Sequence, residues 1–335
     1  MKTIAQGLEQ GQDNFLLLRF IAAALVIYGH APGITGGPHD MDIFHVLNWE
    51  DYSGAIAVQL FFIISGFLIA GSYLRRHNLV DFVWARCLRI LPAYVTCLVV
   101  CAGVLGAIFT SYSLGDYFAH PDTFAYVTKN LWLSTDMAWE LPGVFEHNPH
   151  STTINGAIWT LPGEIRMYAW VGVLGLVGVL SRAWLFTVVV AALLVLGHFY
   201  PNDMPLVPLD AYLKLGALFA LGALCYVQRA RIPVHGAILL ATCALAWCLR
   251  ATLFYPYVFA VCEALFVFWF AYNLRWHGFN RFGDYSYGIY LWGFPVQQMV
   301  AAVDGGMSAY ANALLSFVIA LGLAVASWHV IEKPR

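Results

Sequence analysis

Long apolar runs separated by short polar segments make up most of the chain. A helix needs roughly 20 apolar residues to cross a bilayer. Ten runs lie near that length, at 15–31, 54–74, 87–109, 157–180, 183–200, 210–228, 233–250, 254–274, 284–303 and 309–331. No run alternates apolar and polar positions as a barrel strand does. The pattern therefore predicts an all-α, polytopic membrane bundle of about ten transmembrane helices.

Composition and charge support this prediction. The chain is 61% hydrophobic and 11% charged, whereas soluble domains carry roughly 25% charged residues. With the N-terminus inside, most basic residues fall in inner segments, and only Lys129 and Arg250 fall in outer ones. The positive-inside rule therefore predicts that both termini are cytoplasmic. The net charge of −2 offers no patch for binding nucleic acid.

The organisation predicted along the chain is a single membrane domain, 1–335, with no appended soluble domain. Two outer segments are long, at 32–53 and 110–156, and the second contains a short amphipathic helix near Thr123 to Leu133. Long connections in compact proteins are often functional lids or binding loops. No internal repeat is evident, which argues against a transporter built from inverted halves.

His30 ends the first apolar run, and Arg19 lies eleven residues before it. Eleven residues make almost three helical turns, so both side chains share one face, roughly 16 Å apart along the axis. Ionisable groups are costly at membrane depth and commonly have a function there. The alternative is that Arg19 snorkels to the near headgroups and His30 only caps the far end.

Arg86 and Arg89 open the third apolar run. At positions i and i+3 of a helix their side chains point the same way. Paired guanidinium groups bind phosphate through planar, multidentate donors, so the pair is a candidate anion site. The alternative is an ordinary positive-inside anchor.

Glu164 lies seven or eight residues into the fourth run. Pro162 and Gly163 before it can open the helix and free backbone groups, which membranes tolerate only where those groups face protein or water. A glutamate there can accept a proton, orient a histidine or bind a sugar hydroxyl. The alternative is a structural ion pair with Arg166 or Lys214.

Other polar residues are interpreted as structural. Ser65 supplies a small polar spot for close helix packing, since it lacks the pattern of a nucleophile elbow. Glu146, His147 and His150 are interpreted as solvated loop residues, so no metal site is predicted. All seven cysteines fall inside the predicted spans, so the sequence does not predict a disulfide framework.

Together these segments resemble the acyltransferase 3 family, bacterial multi-span enzymes that O-acetylate lipopolysaccharide, exopolysaccharide and other cell-surface glycans. The correspondence runs from about residue 14 to the C-terminus. Gly293 is a departure, because relatives often carry a histidine there. The matching pieces are the Arg19-to-His30 spacing, Phe61-Phe-Ile-Ile-Ser-Gly-Phe67, Arg86-Cys-Leu-Arg89, Trp159-Thr-Leu-Pro-Gly-Glu164, Tyr285-Ser-Tyr-Gly-Ile-Tyr-Leu-Trp292 and Glu332-Lys-Pro334.

The resemblance implies an acetyl-CoA or other acyl-CoA donor, His30 as the catalytic histidine, and a functional role for Glu164. It also implies that Arg86 and Arg89 lie near the donor phosphates, and we predict Arg19 as a further donor-binding residue. In this scheme His30 is a general base or an acyl relay, and Glu164 orients or polarises it.

The implied acceptor is a hydroxyl of a cell-surface or lipid-linked glycan, and the implied location is the bacterial inner membrane. Outer aromatic residues can stack on sugar rings or anchor the chain at the bilayer interface; these are Trp49, Tyr52, Trp132 and Trp139. The competing hypothesis is a non-enzymatic transporter or flippase of glycan lipids. It explains many spans, but it does not explain a cytoplasmic arginine pair joined to a histidine-bearing helix.

Overall fold

The computed structural model describes residues 1–37, 42–47, 49, 51–76, 78–149, 151–199 and 210–333. In this part of the chain the regular structure is helical. Two isolated β-bridges occur there, and no β-strand is formed. The α-helices are α1 (Ile4–Glu9), α2 (Phe15–Ile34), α3 (Ile43–Val46), α4 (Ser53–Arg76), α5 (Leu79–Val100), α6 (Gly106–Phe109), α7 (Leu114–Ala119), α8 (Pro121–Leu131), α9 (Leu161–Leu176), α10 (Ala183–Phe199), α11 (Asp210–Val227), α12 (Gly236–Leu249), α13 (Tyr255–Asn273), α14 (Ser286–Val303) and α15 (Ala309–Ser327). The predicted all-α class is confirmed.

Each of the ten predicted runs contains a helix. Within the described residues, five helical segments are long and apolar enough to cross a membrane: Phe15–Ile34, Ser53–Arg76, Leu79–Phe109, Tyr255–Asn273 and Ala309–Glu332. Shorter apolar helices lie at Ala183–Leu196, Ala211–Val227 and Gly236–Leu249. The protein is therefore a multi-pass membrane protein, while the count of ten spans and the cytoplasmic side of the termini stay predictions.

Two helix starts differ from the sequence prediction. Helix α5 begins at Leu79, after Asn78, whose Oδ1 accepts a hydrogen bond from Val80 N at 2.9 Å. This cap starts the helix eight residues before the predicted run at 87–109. Arg86 and Arg89 therefore lie two to three turns inside the helix and do not open it.

The segment around Glu164 also starts differently. A 3₁₀ turn at Gly156–Thr160 leads into α9, which places Glu164 in the first turn of that helix. Pro162 is therefore a first-turn proline, a position that needs no backbone N–H donor, and it does not open a helix interior. The carboxylate of Glu164 lies where the helix dipole favours negative charge.

The chain divides into two compact units, each assembled from three stretches. Unit 1 comprises Met1–Arg19, Gln59–Val83 and Gly163–Phe282. Unit 2 comprises Phe20–Val58, Trp84–Pro162 and Gly283–Arg335. The single domain expected over residues 1–335 stays a prediction.

In unit 1, helices α4 and α11 cross with their backbones in contact. A Cβ added to Gly66 would lie 1.9 Å from the carbonyl oxygen of Phe219, and one added to Gly222 would lie 2.0 Å from that of Ile63. Real Cβ atoms do not approach oxygen so closely, so both positions require glycine in this packing. Small residues at helix crossings are a common way of packing helices in membranes.

In unit 2, buried amides join α2, α14 and α15. Gln297 Nε2 donates to the carbonyl oxygen of Ile27 at 2.8 Å and to Asn312 Oδ1 at 3.3 Å. Asn312 Nδ2 donates in return to the carbonyl oxygen of Gln297 at 3.2 Å. Both side chains are fully buried. Because Ile27 lies one turn before His30 on α2, this network fixes the histidine-bearing helix against α14.

The long segment 110–156 is packed against α14 by the same kind of contact. Asn155 Nδ2 donates to the carbonyl oxygen of Leu291 at 3.0 Å. Gln298 Nε2 donates to the carbonyl oxygen of Thr153 at 2.8 Å. The amphipathic helix predicted near Thr123 to Leu133 is present as α8.

Candidate active site

Two aromatic rings lie close to the imidazole of His30 near the end of α2. Phe294 on α14 meets it edge-on, with ring centroids 5.4 Å apart. Tyr52, the residue before α4, lies at 6.4 Å with its plane tilted by 44°. Phe294 is buried, whereas Tyr52 is 42% exposed. The imidazole therefore packs against one buried ring, and a second, partly exposed ring lies nearby.

A close crossing of α2 and α4 sets the position of His30 relative to Tyr52. A Cβ added to Gly29 would lie 2.5 Å from the backbone nitrogen of Gly54 and 2.8 Å from Ser53 Oγ. A Cβ added to Gly54 would lie 2.5 Å from Cε2 of Tyr52. The residue before the histidine therefore packs directly on the first turn of α4, and that turn supports the tyrosine ring.

Asp42 anchors the backbone around this crossing. Its carboxylate is buried and accepts hydrogen bonds from the backbone N–H of Phe44 at 2.9 Å and of Ser53 at 3.1 Å, and also from the Ser53 hydroxyl. The backbone N–H of Ile43 donates to the hydroxyl oxygen of Tyr28 at 3.2 Å. One carboxylate therefore caps α3 and fixes the start of α4 beside the histidine.

Gly293, the departure from the family pattern, has a packing explanation. A Cβ at this position would lie 2.7 Å from Cγ1 of Ile27. Helix α14 therefore lies too close to α2 for a histidine side chain unless Ile27 moves. In this chain the glycine gives close packing one turn below His30 in place of a polar contact.

Glu164 lies in unit 1, where two hydroxyl groups converge on one of its oxygens. Ser65 Oγ donates to Glu164 Oε1 at 2.9 Å, and the Tyr168 hydroxyl donates to the same atom. The two hydroxyl oxygens are 3.4 Å apart. Arg166 lies against Tyr212, with its guanidinium carbon 5.8 Å from the ring centroid. The hydroxyls of Ser65 and Tyr168 therefore keep the carboxylate of Glu164 oriented.

Arg89 lies in unit 2 between two carboxylates. Its guanidinium is 2.6 Å from Asp284 Oδ2 and 3.0 Å from Glu332 Oε2. Ser286 Oγ donates to Asp284 at 2.6 Å, and Ser327 Oγ donates to Glu332 at 2.7 Å. These contacts join α5 to the segment before α14 and to the end of the last helical segment, and the donor-binding role of Arg89 stays a prediction.

Arg86 and Arg19 complete the predicted donor-binding set. Arg86 is half-buried on α5. It lies three residues before Arg89 on the same helix, so the two side chains point the same way, as predicted. Arg19 is half-buried near the start of α2, and the continuous helix confirms its eleven-residue helical spacing from His30. The donor-binding roles of these residues stay predictions.

No group of three potential metal ligands occurs within the described chain. Of the loop residues considered for such a site, His150 lies outside the described residues.

Tyr168 and Asp284 are not among the site residues predicted from sequence. Tyr168 lies four residues after Glu164 on the same helix, and this spacing is a sequence signal that could have identified Tyr168.

Known proteins show similarity along nearly the whole chain. A family model described as an acyltransferase domain matches residues 13–332. The chain is 30% identical over 325 residues to an O-acetyl transferase of Shigella phage Sf6, covering 94% of this chain and 93% of that protein. It is 28% identical over 356 residues to nodulation protein 10 of Rhizobium leguminosarum bv. viciae, covering 96% and 93%. No solved structure gives a significant match.

Proposed function

The chain belongs to the acyltransferase 3 family, and from this premise we propose that it is an O-acetyltransferase that moves the acetyl group of acetyl-CoA to a hydroxyl of a saccharide. The name of its phage relative, an O-acetyl transferase, supports both the acetyl group and the oxygen acceptor. The structural observation that carries the proposal is the imidazole of His30 near the end of α2, held edge-on against the buried Phe294 with the exposed ring of Tyr52 6.4 Å away.

His30 acts as the general base in this proposal. It removes the proton from the acceptor hydroxyl as that oxygen attacks the thioester carbonyl carbon. The new C–O bond forms, the C–S bond breaks, and His30 returns the proton to the sulfur of CoA. Histidine suits this task because its ordinary pKa lies near neutrality, and such proton transfer typically contributes about 10²–10⁴-fold to the rate.

The donor phosphates are assigned to Arg86, and Arg19 stays a predicted donor-binding residue in its own right. A charge-assisted contact to phosphate contributes on the order of 1.5–3 kcal/mol. Arg89 is assigned to positioning, because Asp284 and Glu332 already bind its guanidinium. Glu164 is assigned a role in the same reaction through the charge of its carboxylate.

The proposed setting is the bacterial inner membrane, with acyl-CoA arriving from the cytoplasm and the acceptor from the outer side. The positions of the basic residues support this orientation. The acceptor class, a cell-surface or lipid-linked glycan, follows the family resemblance.

The decisive experiment uses the purified protein in lipid nanodiscs with radiolabelled acetyl-CoA and a panel of oligosaccharides. His30→Ala should lower acetyl transfer by at least about 10²-fold, with a normal yield of folded protein. His120→Ala, on the loop 110–156, is the matched control and should transfer normally. Transfer at the wild-type rate by a well-folded His30→Ala variant would exclude His30 as the base. Translocation of a glycan lipid without CoA would favour the transporter hypothesis instead.

A further inference from the structure

We propose that Tyr52 forms the acceptor subsite, with its ring stacking on the apolar face of a neutral saccharide whose hydroxyl reaches His30. This inference rests on the proposed function and names the residue that positions its second substrate. It concerns residues of unit 2 alone.

Exposure around His30 indicates where the acceptor arrives. Phe294 packs edge-on against the imidazole and is 6% exposed, whereas Tyr52 is 42% exposed and its ring centroid lies 6.4 Å from that of His30. Of these two rings, Tyr52 is therefore the one that offers an exposed surface to an acceptor. An exposed aromatic surface beside a proton acceptor has the composition of a site that binds a sugar by its C–H face and reacts at a hydroxyl.

The tyrosine is fixed well enough to position a substrate. Its ring lies over Gly54, and the adjoining Ser53 is bound through both its backbone N–H and its hydroxyl to the buried Asp42. Gly29 packs against the same turn, directly before His30. The distance between the stacking surface and the base is therefore set by backbone packing.

Charge near Tyr52 selects among saccharides. Partial burial raises the pKa of the Tyr52 phenol, and the carboxylates of Asp42 and Asp51 raise it further. The hydroxyl therefore stays protonated at neutral pH and can donate a hydrogen bond to a sugar oxygen. The same carboxylates repel a second negative charge, so the subsite favours a neutral sugar over a uronic acid.

Tyr112 offers a closely matched control within the same unit. It is 43% exposed and its ring lies 6.2 Å from that of His120, which repeats the Tyr52–His30 arrangement at a different place on the chain. Substituting leucine at either tyrosine removes an exposed ring beside a histidine. The two variants therefore differ in location and not in the kind of side chain lost.

The test measures KM for acceptor and donor separately, using a panel of methyl glycopyranosides with acetyl-CoA. Tyr52→Leu should raise the acceptor KM at least about tenfold, with the KM for acetyl-CoA and its slow hydrolysis unchanged. Tyr52→Phe should retain most acceptor affinity, and Tyr112→Leu should match the wild type. A methyl glucopyranoside should be preferred over the corresponding glucuronide in the wild type.

The outcomes separate this inference from the proposed function. Absence of transfer to every glycoside by the wild type would overturn the proposed function, and this inference with it. Transfer by the wild type with an unchanged acceptor KM in Tyr52→Leu would overturn this inference alone. If Tyr52→Leu does not fold, nitration of Tyr52 in the wild type replaces the variant. The glycoside should then protect Tyr52 and CoA should not, and equal nitration with and without glycoside would overturn the subsite.

Discussion

Glu164 shows at the scale of one residue how charge can be separated from hydrogen bonding. Its Oε1 accepts from Ser65 and Tyr168, and a glutamine oxygen at the same place can accept both hydrogen bonds. We expect Glu164→Gln to lower turnover by about 10²-fold or more while thermal stability and CoA affinity stay near the wild type. Turnover per folded molecule, thermal unfolding and CoA binding are the measurements.

Tyr168→Phe is the companion variant, since it removes one donor to Glu164 and keeps the ring. We expect a smaller loss of turnover than with Glu164→Gln, because the carboxylate charge and the Ser65 hydrogen bond remain. If Glu164 only stabilises the fold, Glu164→Gln will instead lose yield and thermal stability first. Near-normal turnover of the remaining folded protein would then remove the catalytic role.

At this scale the sequence predicts some site residues and misses others for a physical reason. His30 and Glu164 are identifiable because an ionisable group inside an apolar run is costly and therefore conspicuous. Asp284 is not identifiable as a partner of Arg89, because 195 residues separate the two along the chain. Ser65 is predicted to serve packing alone, yet its hydroxyl also binds Glu164.

At the scale of helices, Arg89 joins α5 to the start of α14 and to the end of the helical segment Ala309–Glu332. Removing it takes away a cation that contacts two largely buried carboxylates. We expect Arg89→Ala to destabilise the fold by about 3 kcal/mol and to lower the temperature of thermal unfolding by several degrees. Adding Asp284→Asn and Glu332→Gln should recover part of this loss, because the uncompensated charges are then removed.

Arg86→Ala is the matched control on the same helix. It should weaken CoA binding by roughly 10- to 150-fold with a smaller change in thermal stability. The opposite pattern, with Arg89→Ala stable but unable to bind CoA, would assign the phosphates to Arg89.

Helix positions follow from the apolar runs, but helix ends do not. The runs predict where helices lie because a membrane helix is apolar along its whole length. Caps and short 3₁₀ turns set the ends, and these depend on single polar residues such as Asn78. The predicted start of the third helix is wrong by eight residues for this reason. The sequence does not predict Glu164 in a first turn, because a 3₁₀ turn precedes that helix.

At the scale of the whole molecule, the distribution of basic residues predicts which loops face the cytoplasm. Gly115 and Gly278 are both exposed, and a Cβ at either meets no close contact. In a Cys248→Ser background, Gly115→Cys should react with a membrane-impermeant maleimide on intact cells. Gly278→Cys should react only after permeabilisation. Labelling of both on intact cells, or the reverse pattern, would contradict the predicted orientation.

The crossing of α4 and α11 couples two positions in evolution. Gly66 and Gly222 are each required because the opposite helix backbone lies where a Cβ would be. A lineage that replaced one of them would have to separate the helices, and the separation would release the other from its need for glycine. Among relatives we therefore expect the two glycines to be kept together or lost together, so that an alignment would show them as a covarying pair although neither has a side chain.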